Sequence, residues 1–134
     1  MNESRIVTAP DLDLDNRFKI LLVDVEWSDI ERLSNTINNL GIDITIFIYG
    51  SKDVDDVWCL NAHKHAYATL INTRFSGNKE LLKGWLLAQR NCWGLGSNNI
   101  AEYNHRVSHD IYTWLIQQHN SYLKEENNGT QTRT

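Results

Sequence analysis

Asp24 and Glu26 are the residues in this chain best placed to do chemistry. They follow four consecutive apolar residues, Ile20 to Val23, and stand just ahead of the helix-start signal Ser28-Asp29-Ile30-Glu31. Carboxylates at the end of a buried strand can hydrogen-bond a polar ligand or hold a hard divalent cation, which takes carboxylate and amide oxygens. In open α/β sheets ligands bind outside the carboxyl ends of the strands, beside the point where strand order reverses. Asp53, Asn72 and Asn98 fall at the ends of later expected strands and would complete a polar rim with Asp24 and Glu26. Every sheet of this class ends its strands in polar loops, and acids there also cap helices. The five residues are therefore candidates for ligand binding only, and no catalytic residue is assigned.

Other chemistries lack their residues. Asp11-Leu12-Asp13-Leu14-Asp15 has the spacing that opens a calcium loop, but Asn16 replaces the glycine and Leu22 the terminal glutamate. His105 and His109 are spaced like helical zinc ligands, yet Arg106, Val107 and Ser108 lie between them with no glutamate. Histidines on the solvent side of a helix are the simpler reading, and no metal is expected. Gly94-Leu95-Gly96 is a lone GxG that a tight turn explains, and no phosphate-binding loop follows the first strand. Neither Ser nor Cys sits in a nucleophile elbow. Cys59 and Cys92 are too far apart for a CxxC pair and read as buried, reduced thiols. No cofactor is expected, and an enzymatic role is less favoured than a binding one.

The elements that must position these residues follow from periodicity. Residues 18–26 read as a central strand, because an apolar run buried on both faces belongs to a parallel sheet covered by helices. Ser28 and Glu31 form a capping box, and Ile30, Leu33, Ile37 and Leu40 then recur at helical spacing up to Gly41, which predicts a helix over 28–40. Residues 42–49 form a second strand. A helix capped by Asp53 follows, then a third strand over 66–71 and a helix over 79–90, where Gly84 beside Trp85 suggests close backbone packing. Residues 92–97 are the expected fourth strand. The last helix begins between Asn99 and Ser108, with Ile100, Tyr103, Val107, Ile111, Trp114 and Leu115 on one face.

Four strand-helix units predict a three-layer α/β domain of the Rossmann-like or flavodoxin-like kind, with a four-stranded parallel sheet in the order 2-1-3-4. A chain of 134 residues supplies one such core. Residues 1–17 would be an N-terminal arm, 18–124 the domain, and 125–134 a disordered polar tail.

Residues 21–29, Leu-Leu-Val-Asp-Val-Glu-Trp-Ser-Asp, resemble the first strand and acidic turn of response-regulator receiver domains. In that family an aspartate ending the third strand accepts the phosphoryl group. Asn72 stands in the corresponding place and cannot form an acyl phosphate, while Ser97 would be the hydroxyl residue ending the fourth strand. The resemblance covers the first third of the chain and implies a pseudo-receiver that acts without phosphate. A second likeness is to nucleoside deoxyribosyltransferase-like proteins, carried by Leu70-Ile71-Asn72 and the layout of residues 84–96. The catalytic glutamate of those enzymes has no counterpart here unless Glu80 or Glu102 serves.

Composition narrows the partners. Seventeen acidic against thirteen basic residues give a formal charge of −4, and no basic stripe is present, so nucleic acid is not an expected partner. No apolar run reaches the roughly 18 residues of a membrane span. Without a secretory signal, the expected location is the cytoplasm. Abundant asparagine fits an AT-rich coding genome such as many bacteria and phages have. Five tryptophans are more than a small core easily takes. Trp27, Trp58 and Trp85 are therefore expected as interface anchors, and the partner as another protein or a second copy of the chain.

Overall fold

Phe18–Val23 is buried at all six positions, which requires a central strand with helices on both faces of its sheet. The computed structural model describes residues 4–12, 17–50, 55–72, 84, 86, 100–103 and 109–132. Its elements are β1 (Ser4–Thr8), β2 (Phe18–Val23), α1 (Trp27–Leu40), β3 (Ile44–Tyr49), α2 (Asp56–His65), β4 (Ala68–Asn72), β5 (Ile100–Tyr103) and α3 (His109–Thr132). All paired strands run parallel, in the order β1-β3-β2-β4-β5.

Alternation along each strand builds two cores. Phe18, Ile20 and Leu22 of β2, Ile44 and Ile46 of β3, and Ala68 and Leu70 of β4 face α1 and α3, meeting Ile30, Leu33, Ile37, Ile111 and Leu115. On the other face Leu21, Val23, Phe47, Tyr49 and Ile71 pack with Trp58, Cys59 and Ala62 of α2 and with Leu86. Each fully buried Leu or Ile contributes about 1.5–3 kcal/mol, so the sheet is stabilised from both sides. The expected three-layer α/β class is therefore observed.

The expected strands 18–26, 42–49 and 66–71 stand in the expected relative order 2-1-3, as β3-β2-β4, and the sheet differs from the expected 2-1-3-4 at its two edges. Residues 4–8, expected within an arm, form an edge strand whose Ser4 to Thr8 pair in register with Ile44 to Ile48. Val7 alone among residues 5–8 is buried, and a five-residue strand with one inward apolar side chain carries little periodic signal. At the other edge Ile100–Tyr103, expected on the last helix, is β5. Its residues pair with Thr69 to Asn72, and sheet pairing overrides a spacing of three that a helix could equally use. The expected fourth strand, 92–97, lies outside the described residues.

Helix ends differ as well. Helix α1 starts at Trp27, because the Glu26 carbonyl already accepts from the amides of Asp29 at 3.0 Å and Ile30 at 3.1 Å. The Ser28–Glu31 capping box is consequently not formed, and Glu31 Oε1 accepts from Trp27 Nε1 instead. Gly41 stops the helix as expected, at φ 71°, with the Ile42 amide donating back to the Ile37 carbonyl. Helix α2 is capped by Asp55, whose carboxylate accepts from the Trp58 amide at 2.9 Å; Asp53, the expected cap, lies outside the described residues. Around Gly84, nothing among the described residues lies within 4 Å of where a Cβ would stand, so the expected close approach is not observed there. Helix α3 continues to Thr132 in place of a disordered tail. Lys124 and Glu125 are good helix formers, and Glu125 accepts a hydrogen bond from Tyr67.

Candidate functional site

The chain leaves β2 toward one face through α1 and leaves β3 toward the other through α2, as a uniform crossover hand requires. Strand order thus reverses beside β2, and the carboxyl ends of β2 and β4 flank the crevice where such sheets bind ligands. Val23 pairs with Ile71, so Asp24 and Asn72 are the next residues on two neighbouring strand ends.

Asp24 is half-buried and adopts φ 59°. Among non-glycine residues only Asn and Asp enter this left-handed region with any ease. Its amide donates to the Tyr49 carbonyl at 2.7 Å, extending the ladder by one bond before the chain turns into α1. Glu26 is exposed and serves as the α1 N-cap residue without a side-chain cap bond. Asp53 and Asn98 lie outside the described residues, and Asn72 is described only in its backbone. Asp24, Glu26 and the backbone end of β4 are thus the described candidates at this edge of the sheet. Among the described residues no group of three His, Cys, Asp or Glu side chains is gathered as a metal would need.

The expected anchors part company. Trp27 is 54% exposed at the start of α1, with its indole N–H held by Glu31 Oε1 at 2.6 Å. Trp58 is only 4% exposed. Its ring stacks on Tyr49 at 5.9 Å, meets Phe47 edge-on, and donates from Nε1 to the Asp11 carbonyl at 2.6 Å. It is a core residue and not a surface anchor, because a helix position facing the sheet is filled by whatever side chain it carries. Trp85 lies outside the described residues. The Tyr49 hydroxyl completes this cluster by donating to Asp56 Oδ1.

The environments of the histidines are mixed. His63 is fully buried with Nδ1 at 2.7 Å from Thr69 Oγ1, whereas His65 is exposed. His105 and the side chain of His109 lie outside the described residues.

No protein-family model matches this chain. Neither a similar curated protein nor a similar solved structure was found.

A second feature lies at the opposite, amino end of the sheet. A cleft of about 530 Å³ opens there, lined by Arg17, Phe18, the turn Gly41–Asp43, His119, Tyr122 and Leu123. Phe18 forms its wall with His119 at 5.1 Å and Tyr122 at 5.0 Å between ring centres. Tyr67 packs against Phe18 and Tyr122, and its phenol is pushed up to about 12 by burial, aided by the hydrogen bond to Glu125. Burial also lowers the His119 pKa below the ordinary imidazole value, so the ring is neutral at pH 7. These residues were missed because the helical stripe Ile111-Leu115 was read as ending there. Continued by four and three residues, it reaches His119 and Tyr122.

Proposed function

We propose that the protein is a non-enzymatic, cytoplasmic binding or assembly component that docks another protein, or a second copy of itself, through the surface around Trp27. The supporting observation is a large indole, more than half exposed, whose orientation is fixed by its bond to Glu31. A side chain ordered before docking loses less entropy on binding, and Trp is the residue type most enriched among interface anchors. Val57, 69% exposed in the first turn of α2, adds apolar surface at the same end of the sheet. The absence of any described helix long and apolar enough to cross a membrane is compatible with this role.

Native mass spectrometry of the protein purified from its own source tests the reading. A defined oligomer or co-purifying protein is expected, lost in Trp27→Ala while the melting temperature is retained, since the residue contributes little core. A wild-type monomer without partner, or an association unchanged in Trp27→Ala, refutes it. The second reading is a small-ligand or nucleotide-binding domain at the strand carboxyl ends, supported by the left-handed Asp24 at the reversal point. A monomer carrying a small adduct lost in Asp24→Asn would favour it, and phosphate-independent signalling by a pseudo-receiver would use the same edge.

A further inference from the structure

The amino-end cleft has the complementarity of a binding site, independent of the Trp27 surface. Its volume of about 530 Å³ falls within the range of small-molecule pockets. One wall is aromatic, formed by the half-buried rings of His119 and Tyr122, which pack on the buried Phe18. Neutral His119 adds ring surface without adding a second positive charge.

The charged groups are divided in sign. Arg17, half-buried at the entry to β2, is the cation of the lining, and Lys19 Nζ donates to its carbonyl at 3.0 Å, tying this backbone in place. Across the lining, α1 ends at Gly41 and the chain turns through Asp43. A helix carboxyl terminus carries partial negative charge, so this side favours an ammonium twice over, by the dipole and by the carboxylate. A phosphate would find no helix amino terminus among the described lining residues and would meet Asp43. A ligand with a carboxylate, an ammonium and a flat apolar group satisfies all three parts.

We propose that this cleft binds a free α-amino acid with an aromatic side chain, its carboxylate toward Arg17, its ammonium toward Asp43 and the end of α1, and its ring against His119 and Tyr122. Arg guanidinium matches carboxylate geometry in a bidentate fork, and partial burial strengthens that pair. Asp43 is exposed, so its contribution is screened and smaller.

The test is an NMR titration of the full chain with L-phenylalanine, 3-phenylpropionate, which lacks the ammonium, and phenethylamine, which lacks the carboxylate. The aromatic resonances of Phe18, His119 and Tyr122 should shift with L-phenylalanine. L-Phenylalanine should bind about tenfold tighter than phenethylamine and about threefold tighter than 3-phenylpropionate. Arg17→Gln should erase the first preference and Asp43→Asn the second. Leu123→Trp, at a position 47% exposed and so tolerant of a larger side chain, should block the cleft and abolish the shifts with the circular dichroism unchanged. The proposal is overturned if about 10 mM L-phenylalanine, a concentration saturating for any site of millimolar affinity, moves none of these resonances. Equal binding of the three compounds, or binding that survives Leu123→Trp, overturns it as well.

Discussion

His119 is held neutral by burial against Phe18 and Tyr122, and its charged form is disfavoured in the folded chain. Its pKa is lowered from the ordinary value of about 6.5, so the unfolded chain binds a proton at a higher pH than the native one does. Stability then rises with pH across the interval between the two values and is level above it. Acidification below pH 6.5 is expected to lower the denaturation midpoint progressively, and His119→Phe should flatten that part of the profile. The comparison belongs at moderate salt, where contributions from surface charges are screened. Urea melts between pH 5 and pH 8 decide the matter, and identical pH slopes in the two proteins would exclude His119 as the source. Neither the burial nor the shift is visible in a polar helix residue three positions beyond the last apolar one, Ile116.

Among the elements, α1 is the most completely encoded locally. Ile30, Leu33 and Ile37 lie on one face and are all buried, and Gly41 ends the helix in the left-handed region. An L-residue in that conformation sets its Cβ against the backbone at a cost of about 1–2 kcal/mol. Gly41→Ala is thus expected to lower the unfolding free energy by about 1 kcal/mol, while the carboxyl-end crevice is unaffected. A destabilisation below a few tenths of that would mean the Ile42-to-Ile37 turn can re-form by another route. The helix start was less legible. Ser28-x-x-Glu31 satisfies the capping-box pattern, but Trp27 competes for the same glutamate with its indole N–H, and that competition depends on where β2 releases the chain. Helix α2 shows the same difficulty, since three aspartates precede Trp58 and only the turn geometry selects Asp55 as the cap.

For the whole molecule, Trp58 matters more than the surface role first expected of it. Its indole reaches from α2 to the carbonyl of Asp11, in the segment that carries the chain from β1 to β2, and Leu12 and Ala9 pack on the same core. Trp58→Phe keeps most of the ring packing but loses this bond, a loss of about 1 kcal/mol. It should raise amide hydrogen exchange selectively in β1, whose amides pair on one side only with β3. Trp58→Ala should destabilise the whole domain by about 3–5 kcal/mol through the cavity it leaves between α2 and the sheet. Uniform protection loss in Trp58→Phe, without emphasis on β1, would contradict this division of roles.

The sequence by itself determined the α/β class, the centrality of residues 18–23, and the α1 stripe with its glycine stop. These rest on periodicity and on backbone rules that operate within a few residues. Asp24 and Glu26 were also placed by sequence, because a strand end is marked by the switch from apolar to acidic residues. Only the tertiary structure decided that residues 4–8 join the sheet, that 100–103 pair with β4, and that Trp58 turns inward. Each of those outcomes depends on a partner distant in sequence: Ile44 to Ile48 for β1, Thr69 to Asn72 for β5, and Asp11 with Tyr49 for Trp58. The amino-end cleft belongs with them, since β2, the end of α1 and the middle of α3 meet there only once the sheet has formed. Local patterning names the elements, and long-range pairing and burial choose which faces and ends they share.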